Sequence, residues 1–193
     1  MEIKFCKARL PEEEAIDEQF GKLGIKPRDL DYVFLTHLDV DHASGLELVK
    51  EAKHIMTSKE ELEAAQKGDI RYSDRFWNGV NLEPFEMKVS SYGPFGRSYD
   101  VFGDESVLLI DVAGHTKGTS LVMVQNQGQF VLLTGDTGYA KESWEELRLP
   151  GPVDDEEKMR KTLKWVQEMS KKEGCVEVLA THDPEVIPHV IEL

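Results

Sequence analysis

The sequence contains little cysteine, few positive charges and no long apolar run. Its two cysteines, Cys6 and Cys175, cannot form a disulfide framework and neither lies in a C-x-x-C spacing, so we expect free thiols in a reducing cytoplasm. Lysine and arginine number 23 against 37 aspartates and glutamates, which gives a net charge of -14. Such a surface repels phosphate backbones and anionic lipids, which argues against nucleic-acid and membrane partners. No stretch reaches the roughly 18–20 apolar residues of a membrane span.

What the sequence does contain is a mixture of helical and strand-forming segments. Its 193 residues suffice for one core, so we predict a single domain over residues 1–193 of the α/β (α+β) class. Helical periodicity and capping residues predict helices over 11–23, 45–52, 58–66 and 155–174. Apolar runs predict strands over 30–37, 53–58, 106–112, 119–126, 129–136 and 175–183, with a hairpin at "NQGQ".

Four of the predicted strands run into histidine or aspartate. The segments read "VFLTHLDVDH", "LLIDVAGHTKG", "VLLTGDTG" and "VLATHDPE". A strand end aims a side chain that the adjoining loop leaves accessible, so chemistry is often presented there. Each residue alone has an ordinary explanation, since Asp41 could cap a helix and Asp136 could form a turn. Four such coincidences in this order are less probable than a shared metal site. His54 and His189 lack this context, and we interpret them as structural or exposed.

The spacing of the first cluster suggests two ions. Residues i and i+2 of an extended segment face the same way about 6.5 Å apart, so His37 and Asp39 can converge on one ion. Asp41 and His42 follow the bend and can reach a second ion, and Asp136 could bridge both. Two divalent ions roughly 3.5–4 Å apart form the arrangement with which hydrolases ionise water and polarise a carbonyl or phosphoryl oxygen.

The motif resembles that of the metallo-β-lactamase-fold hydrolases over about residues 10–190. Their order H-x-H-x-D-H, distant His, Asp and last His is matched by His37, Asp39, Asp41, His42, His115, Asp136 and His182, with one residue type changed. "AGHTKGTSLVMV", "LLTGDTGYAKESWEE" and "THDPE" are most similar to the N-acyl homoserine lactonases. Tyr139 matches the tyrosine that lies beside the substrate carbonyl in those enzymes.

This resemblance implies an αββα sandwich, shortened at its N-terminus, and a set of roles. Two divalent ions (Zn, Mn or Fe) would be the cofactors, and a bridging hydroxide would attack an ester or lactone. The Tyr139 hydroxyl would help to stabilise the oxyanion, and Asp41 would take up the proton of ring opening. By the resemblance, His37, Asp39 and His115 would hold one ion, Asp41, His42 and His182 the other, and Asp136 would bridge them.

Two departures from the family pattern modify these expectations. Asp39 stands where the family has its second histidine, and a third aspartate makes the site less positive. We therefore predict a shift from Zn²⁺ towards Mn²⁺ or Fe²⁺, or a weaker first site. The family also has strands ahead of this region, so an uncovered sheet edge would favour a homodimer, and activity could be reduced.

The leading hypothesis is a metal-dependent lactonase or esterase with a small-molecule substrate such as an acyl homoserine lactone. The alternatives are a glyoxalase II-like thioesterase, a phosphodiesterase or an iron-dependent oxidase of the same fold, and a catalytically silent, truncated metal-binding domain. β-Lactam hydrolysis is disfavoured, because Asp136 stands where those enzymes usually carry cysteine. The sequence does not identify the substrate, because residues 68–100, which would line an acyl pocket, show no diagnostic pattern.

Overall fold

The computed structural model describes residues 10–68 and 71–193, so Cys6 lies outside the described residues. The helices are α1 (Ile16–Lys22), α2 (Val40–Ala43), α3 (Leu46–Val49), α4 (Lys59–Gln66), α5 (Lys141–Glu145) and α6 (Glu156–Met169). The strands are β1 (Tyr32–Phe34), β2 (His54–Ser58), β3 (Leu82–Phe85), β4 (Lys88–Val89), β5 (Arg97–Asp100), β6 (Val107–Asp111), β7 (Ser120–Asn126), β8 (Gln129–Leu133) and β9 (Cys175–Leu179). Within the described ranges, no helix combines the length and the apolarity that crossing a bilayer requires.

The strands form two sheets. β1, β2 and β3 make a parallel sheet with β2 in the centre. The other six strands make a second sheet in chain order, from β4 to β9, in which only the β8–β9 pair is parallel. The parallel pair follows from the crossover through α5 and α6, because parallel neighbours need a long connection. This mixed architecture confirms the predicted α/β class. The homodimer, inferred from an uncovered sheet edge, stays a prediction.

Aromatic rings join the two sheets. Phe34 of β1 lies 6.0 Å from Phe85 of β3 and 6.4 Å from Tyr99 of β5, measured between ring centroids. Phe85 and Tyr99 stack at 4.8 Å. Such pairs stabilise a fold beyond the area that they bury. The three rings therefore fix the orientation of the small sheet against the large one, and with it the relative positions of the strand ends.

Helix α6 covers one face of the large sheet. Met159, Leu163 and Val166 recur at helical spacing, and all three are fully buried in the core that this sheet forms. The helix begins after Asp155, whose side chain accepts a hydrogen bond from the Lys158 amide, as predicted for an N-cap. The prediction that it continues to residue 174 is wrong, because the helix ends at Met169 and a turn leads to β9.

The small sheet packs against α1 and α3. The helix predicted over residues 11–23 is longer than α1, which spans Ile16–Lys22. Residues 11–15 are not helical, and Glu13 has a φ of 68°, which a helix cannot contain. Of the apolar residues in the predicted helix, Phe20 packs into the core, whereas Ile16 and Leu23 are exposed. Pro11 therefore does not open the helix, which begins only after Ala15.

The predicted hairpin is confirmed, and three of the strands that lead to the candidate ligands end early. Gln127 and Gly128 have φ values of 48° and 85°, as a two-residue hairpin turn between β7 and β8 requires. β1, β8 and β9 end at Phe34, Leu133 and Leu179, before the predicted ends. Thus His37, Asp136 and His182 lie three residues beyond a strand, and His115 lies four residues beyond one. Asp39, at the N-cap of α2, and Asp41 and His42, within α2, follow His37 at the same end of the two sheets.

Candidate metal centre

The first loop of the site is fixed by backbone hydrogen bonds from three other segments. The Leu35 amide donates to the Met56 carbonyl at 2.8 Å, and the Thr36 carbonyl accepts from the Ser120 amide at 2.9 Å. The Leu38 amide donates to the buried Glu61 side chain at 2.9 Å. Asp39 then precedes α2, so Asp41 lies inside the first helical turn and is not the cap residue. The loop therefore presents His37, Asp39, Asp41 and His42 from a rigid base.

Glu61 ties this loop to the loop that carries His115. Its carboxylate accepts a hydrogen bond from the Thr116 hydroxyl at 2.6 Å and from the Gly118 amide at 3.1 Å. The sequence suggests a capping box between Ser58 and Glu61, and the Ser58 side chain does accept from the Glu61 amide. The Glu61 side chain, however, reaches the two ligand loops and not the helix terminus, which a local pattern cannot reveal.

One cluster of ligand atoms, which we call the second group, consists of Asp41, His42, Asp136 and His182. Oδ1 of Asp136 lies 2.9 Å from Nε2 of His42 and 3.2 Å from Nε2 of His182. Oδ2 of Asp41 lies 3.6 Å from Nε2 of His182 and 3.8 Å from Nε2 of His42. One ligand atom from each residue lies within 4.8 Å of all the others, so a single ion could contact the four.

The other cluster, the first group, consists of His37, His115 and Asp136, all of them buried. Oδ2 of Asp136 lies 3.4 Å from Nε2 of His115 and 3.8 Å from Nε2 of His37. Asp136 therefore turns one carboxylate oxygen to each group, which is the geometry of a bridging ligand. The structure brings all seven predicted ligands together, but their role as ligands stays a prediction.

Asp39 differs from the other predicted ligands because an arginine holds it. Nε and Nη2 of Arg71 donate to Oδ1 and Oδ2 of Asp39, each at 2.7 Å. Burial alone would raise the pKa of Asp39, but hydrogen bonds from His115 and Arg71 outweigh it and lower that pKa well below its usual value. The sequence does not single out Arg71, because "IRYSD" has no strand-end context. The backbone bridge between Asp39 and Tyr72 brings the segment there.

The buried polar atoms of the site fit a divalent metal. Nε2 of His37 is buried without a hydrogen-bond partner among the described residues. Nε2 of His42 and Oδ1 of Asp136 are also buried, and although they lie 2.9 Å apart they are not aligned as a hydrogen bond. Each such atom costs about 1–3 kcal/mol unless something satisfies it. Burial, with the charge of His42, lowers the pKa of His37 to about 3, so this imidazole stays neutral and can ligate. Imidazole and carboxylate donors suit Zn²⁺, Mn²⁺ and Fe²⁺.

Contacts around the two groups orient their side chains. The Thr36 hydroxyl lies 3.0 Å from Nδ1 of His37, which leaves Nε2 pointing into the site. The Tyr139 ring stands edge-on to His182 at 5.0 Å and to His115 at 6.3 Å between centroids. The two remaining histidines lie elsewhere, as predicted: His54 contacts Glu83, and His189 contacts Glu177.

The chain combines helix-flanked sheets with groups of histidine and aspartate that could hold cations near the strand ends. These features together define a metal-binding α/β protein. A family profile described as "Metallo-beta-lactamase superfamily" matches residues 9–182. The chain belongs to the metallo-β-lactamase superfamily, which confirms the resemblance and the predicted αββα sandwich.

Similar proteins include several lactonases. The N-acyl homoserine lactonase AttM of Azorhizobium caulinodans is 29% identical over 185 residues, which cover 92% of this chain and 67% of AttM. An N-acyl homoserine lactonase of Bacillus cereus is 30% identical over 178 residues, covering 92% of this chain and 65% of that enzyme. A solved N-acyl homoserine lactone hydrolase, with N-hexanoyl-L-homoserine bound at its catalytic metal centre, is 28% identical with a TM-score of 0.72. That match covers 90% of this chain and 64% of the hydrolase. The chain thus spans about two thirds of the length of these relatives.

Proposed function

We propose that the chain is a metal-dependent hydrolase that opens an ester or lactone, with an acyl homoserine lactone as the favoured substrate. The observation that carries this proposal is the convergence of the first and second groups on opposite oxygens of Asp136. The names of the similar lactonases support the substrate class. Fully loaded, the centre would hold two divalent ions, Zn²⁺, Mn²⁺ or Fe²⁺, as small-molecule hydrolases of this geometry do.

Bound divalent metal would supply the Lewis acidity that makes water nucleophilic near neutral pH and polarises the substrate carbonyl. The residues of the chain hold this chemistry in place. The buried His37 and His115 offer imidazole nitrogens from the interior, and Asp136 offers both oxygens to the centre. The half-exposed Asp41 stands at the solvent side, beside His42 and His182, where it can accept a proton from an opening ring.

Tyr139 is suited to donate a hydrogen bond to the carbonyl oxygen of the substrate. Its burial, together with the negative charges of Asp136 and Asp41, raises the pKa of Tyr139 to about 12, so the phenol keeps its proton at neutral pH. Its ring lies against His182, next to the second group. A donor aimed at a developing oxyanion contributes more to the transition state than to substrate binding.

The test is hydrolysis of N-hexanoyl homoserine lactone by the metal-loaded chain, followed with a pH indicator. We expect turnover, and we expect Tyr139→Phe to lower kcat about 10- to 100-fold while the bound metal stays unchanged, because only the transition state loses a donor. Tyr32→Phe is the matched control, since Tyr32 is exposed on β1. Turnover of a glutathione thioester in place of the lactone would favour the thioesterase alternative. Bound metal without turnover of either substrate would favour a silent metal-binding domain.

A further inference from the structure

Arg71 and Asp39 form a tight and largely buried ion pair. Their side chains are 14% and 16% exposed, and two parallel N–H···O bonds of 2.7 Å join the guanidinium to both carboxylate oxygens. Charge-assisted bidentate pairs of this kind are among the strong hydrogen bonds of proteins. Asp39 is therefore held in place by a cation that belongs to the chain itself.

The same guanidinium lies against His115. Nη2 of Arg71 is 3.2 Å from Nε2 of His115, and Nη1 donates to the His115 carbonyl at 2.8 Å and to Asp154 at 2.8 Å. Nη2 thus contacts both Oδ2 of Asp39 and Nε2 of His115, which are themselves only 3.2 Å apart. These are two of the atoms that the sequence assigns to the first ion.

A guanidinium and a metal ion cannot share these atoms. Zinc binds nitrogen and oxygen ligands at about 2.0–2.2 Å, and Arg71 has no lone pair to offer and does not lose its proton. An ion at the first group would have to displace the N–H of Arg71 from His115 and Asp39. It would also lie close to a positive charge, which opposes its binding.

The second group carries no comparable competitor. Within the described residues, the ion-pair contacts of Asp41 and Asp136 are to histidines alone, so no arginine or lysine there competes with a metal for either carboxylate. The first group shares Asp136 and otherwise consists of the imidazoles of His37 and His115, while the adjacent Asp39 carboxylate is paired with Arg71. The two positions of the centre therefore differ by about one unit of charge and by one competing cation.

We infer that Arg71 competes with a divalent ion for Asp39 and His115, so that the chain holds one ion tightly at the second group and a second ion much more weakly at the first. This inference rests on the metal centre of the proposed function and is independent of its substrate. Arg71 would weaken the binding of an ion at the first group, and in the absence of that ion it would supply the positive charge that balances Asp39.

The experiment is a titration of the metal-free full chain with Zn²⁺ by calorimetry and with Co²⁺ by visible absorbance. For the wild type we expect one tight equivalent and a second that binds at least about 100-fold more weakly, which corresponds to about 2.7 kcal/mol. Arg71→Gln removes the competing charge, so the second equivalent should bind about 10- to 100-fold more tightly while the first changes little. Arg75→Gln is the control, since Arg75 is exposed and lies four residues further along.

Arg71→Lys covers the case in which Arg71→Gln does not fold. Lysine keeps the charge but cannot hold both oxygens of Asp39, so it should tighten the second equivalent by a smaller factor. Two equal, tight equivalents in the wild type would overturn the inference, as would an unchanged second equivalent in the folded variants. If the two equivalents bind unequally and the lactone is not hydrolysed, the inference about Arg71 holds and the proposed lactone substrate is wrong. If the lactone is hydrolysed and the two equivalents bind equally tightly, the substrate proposal holds and the inference about Arg71 is wrong.

Discussion

The two groups of the metal centre use the same residue types but are built differently. His37 and His115 of the first group are 0% and 1% exposed, whereas Asp41 and His182 of the second are 51% and 39% exposed. The first group is tied to the interior through Thr36, Glu61 and Arg71. Apart from the shared Asp136, the second group lies on a four-residue helix and the loop after β9. Buried ligands fix the frame of the site, and exposed ligands can exchange ions and meet a substrate.

The largest effect is expected where the two groups coincide. Asp136→Asn removes the negative charge that both groups share, so we expect bound metal to fall below half an equivalent and hydrolysis to fall about 100-fold or more. Elemental analysis of the purified variant measures the bound metal, and the lactone assay measures the rate of hydrolysis. Asp104→Asn, in an exposed turn, is the control. Full metal content in folded Asp136→Asn would show that Asp136 does not bridge the groups.

The next effect separates the groups from each other. His182→Ala should weaken the tight ion about 10- to 100-fold and leave the free energy of unfolding of the metal-free chain nearly unchanged, because His182 is exposed. His37→Ala should do the opposite: the tight ion stays, and the metal-free chain loses about 2–4 kcal/mol, because a packed side chain leaves a cavity. Chelator competition measures the affinity for the tight ion, and urea denaturation of the metal-free chain measures the free energy of unfolding. If both variants weakened the tight ion equally, the distinction between the groups would be wrong.

The sequence predicts the members of both groups better than it predicts what supports them. His37, His42, His115, Asp136 and His182 follow apolar strands, and a strand fixes the direction of the next few residues. The positions of these ligands can therefore be predicted from the short sequence segments that contain them. Helix α6 was found for the same reason, since its apolar spacing is local. The predicted helix over 11–23 was too long, because charge and proline near a helix start do not decide whether tertiary contacts support it.

Arg71 and the second role of Glu61 could not be found in this way. Arg71 reaches Asp39 across 32 positions, and Glu61 reaches Thr116 across 55. Neither contact leaves a periodicity or a spacing in the sequence, because each depends on how α4 and the following segment pack against the ligand loops. Short sequence segments thus predict the candidate ligands of the site, whereas the difference between the first and second groups depends on the tertiary structure.

The smallest effect concerns the packing behind each group, at two glycines. Gly118 docks on the start of α4: its carbonyl accepts from the Ser58 hydroxyl at 2.7 Å, and an added Cβ would lie 2.1 Å from the Glu61 amide nitrogen. Gly118→Ala must therefore move the His115 loop or the helix, and we expect the free energy of unfolding to fall by about 1–3 kcal/mol. Gly45, just after α2, is the matched site, because an added Cβ would meet only Ile16 at 3.9 Å.

Gly45→Ala should change the free energy of unfolding by between zero and about 1 kcal/mol in the stabilising direction, because alanine can adopt its φ of -87° and ψ of -3° and has less conformational entropy to lose on folding. Urea denaturation of both metal-free variants measures the difference. Since Gly118 lies in the loop that carries His115, a member of the first group, its substitution should weaken the second equivalent of metal and leave the tight one in place. If Gly118→Ala weakened the tight ion, or if the two alanine variants were equally stable, the first group would not depend on this rigid packing. The contrast between a buried frame and an open ligand set would then have to be abandoned.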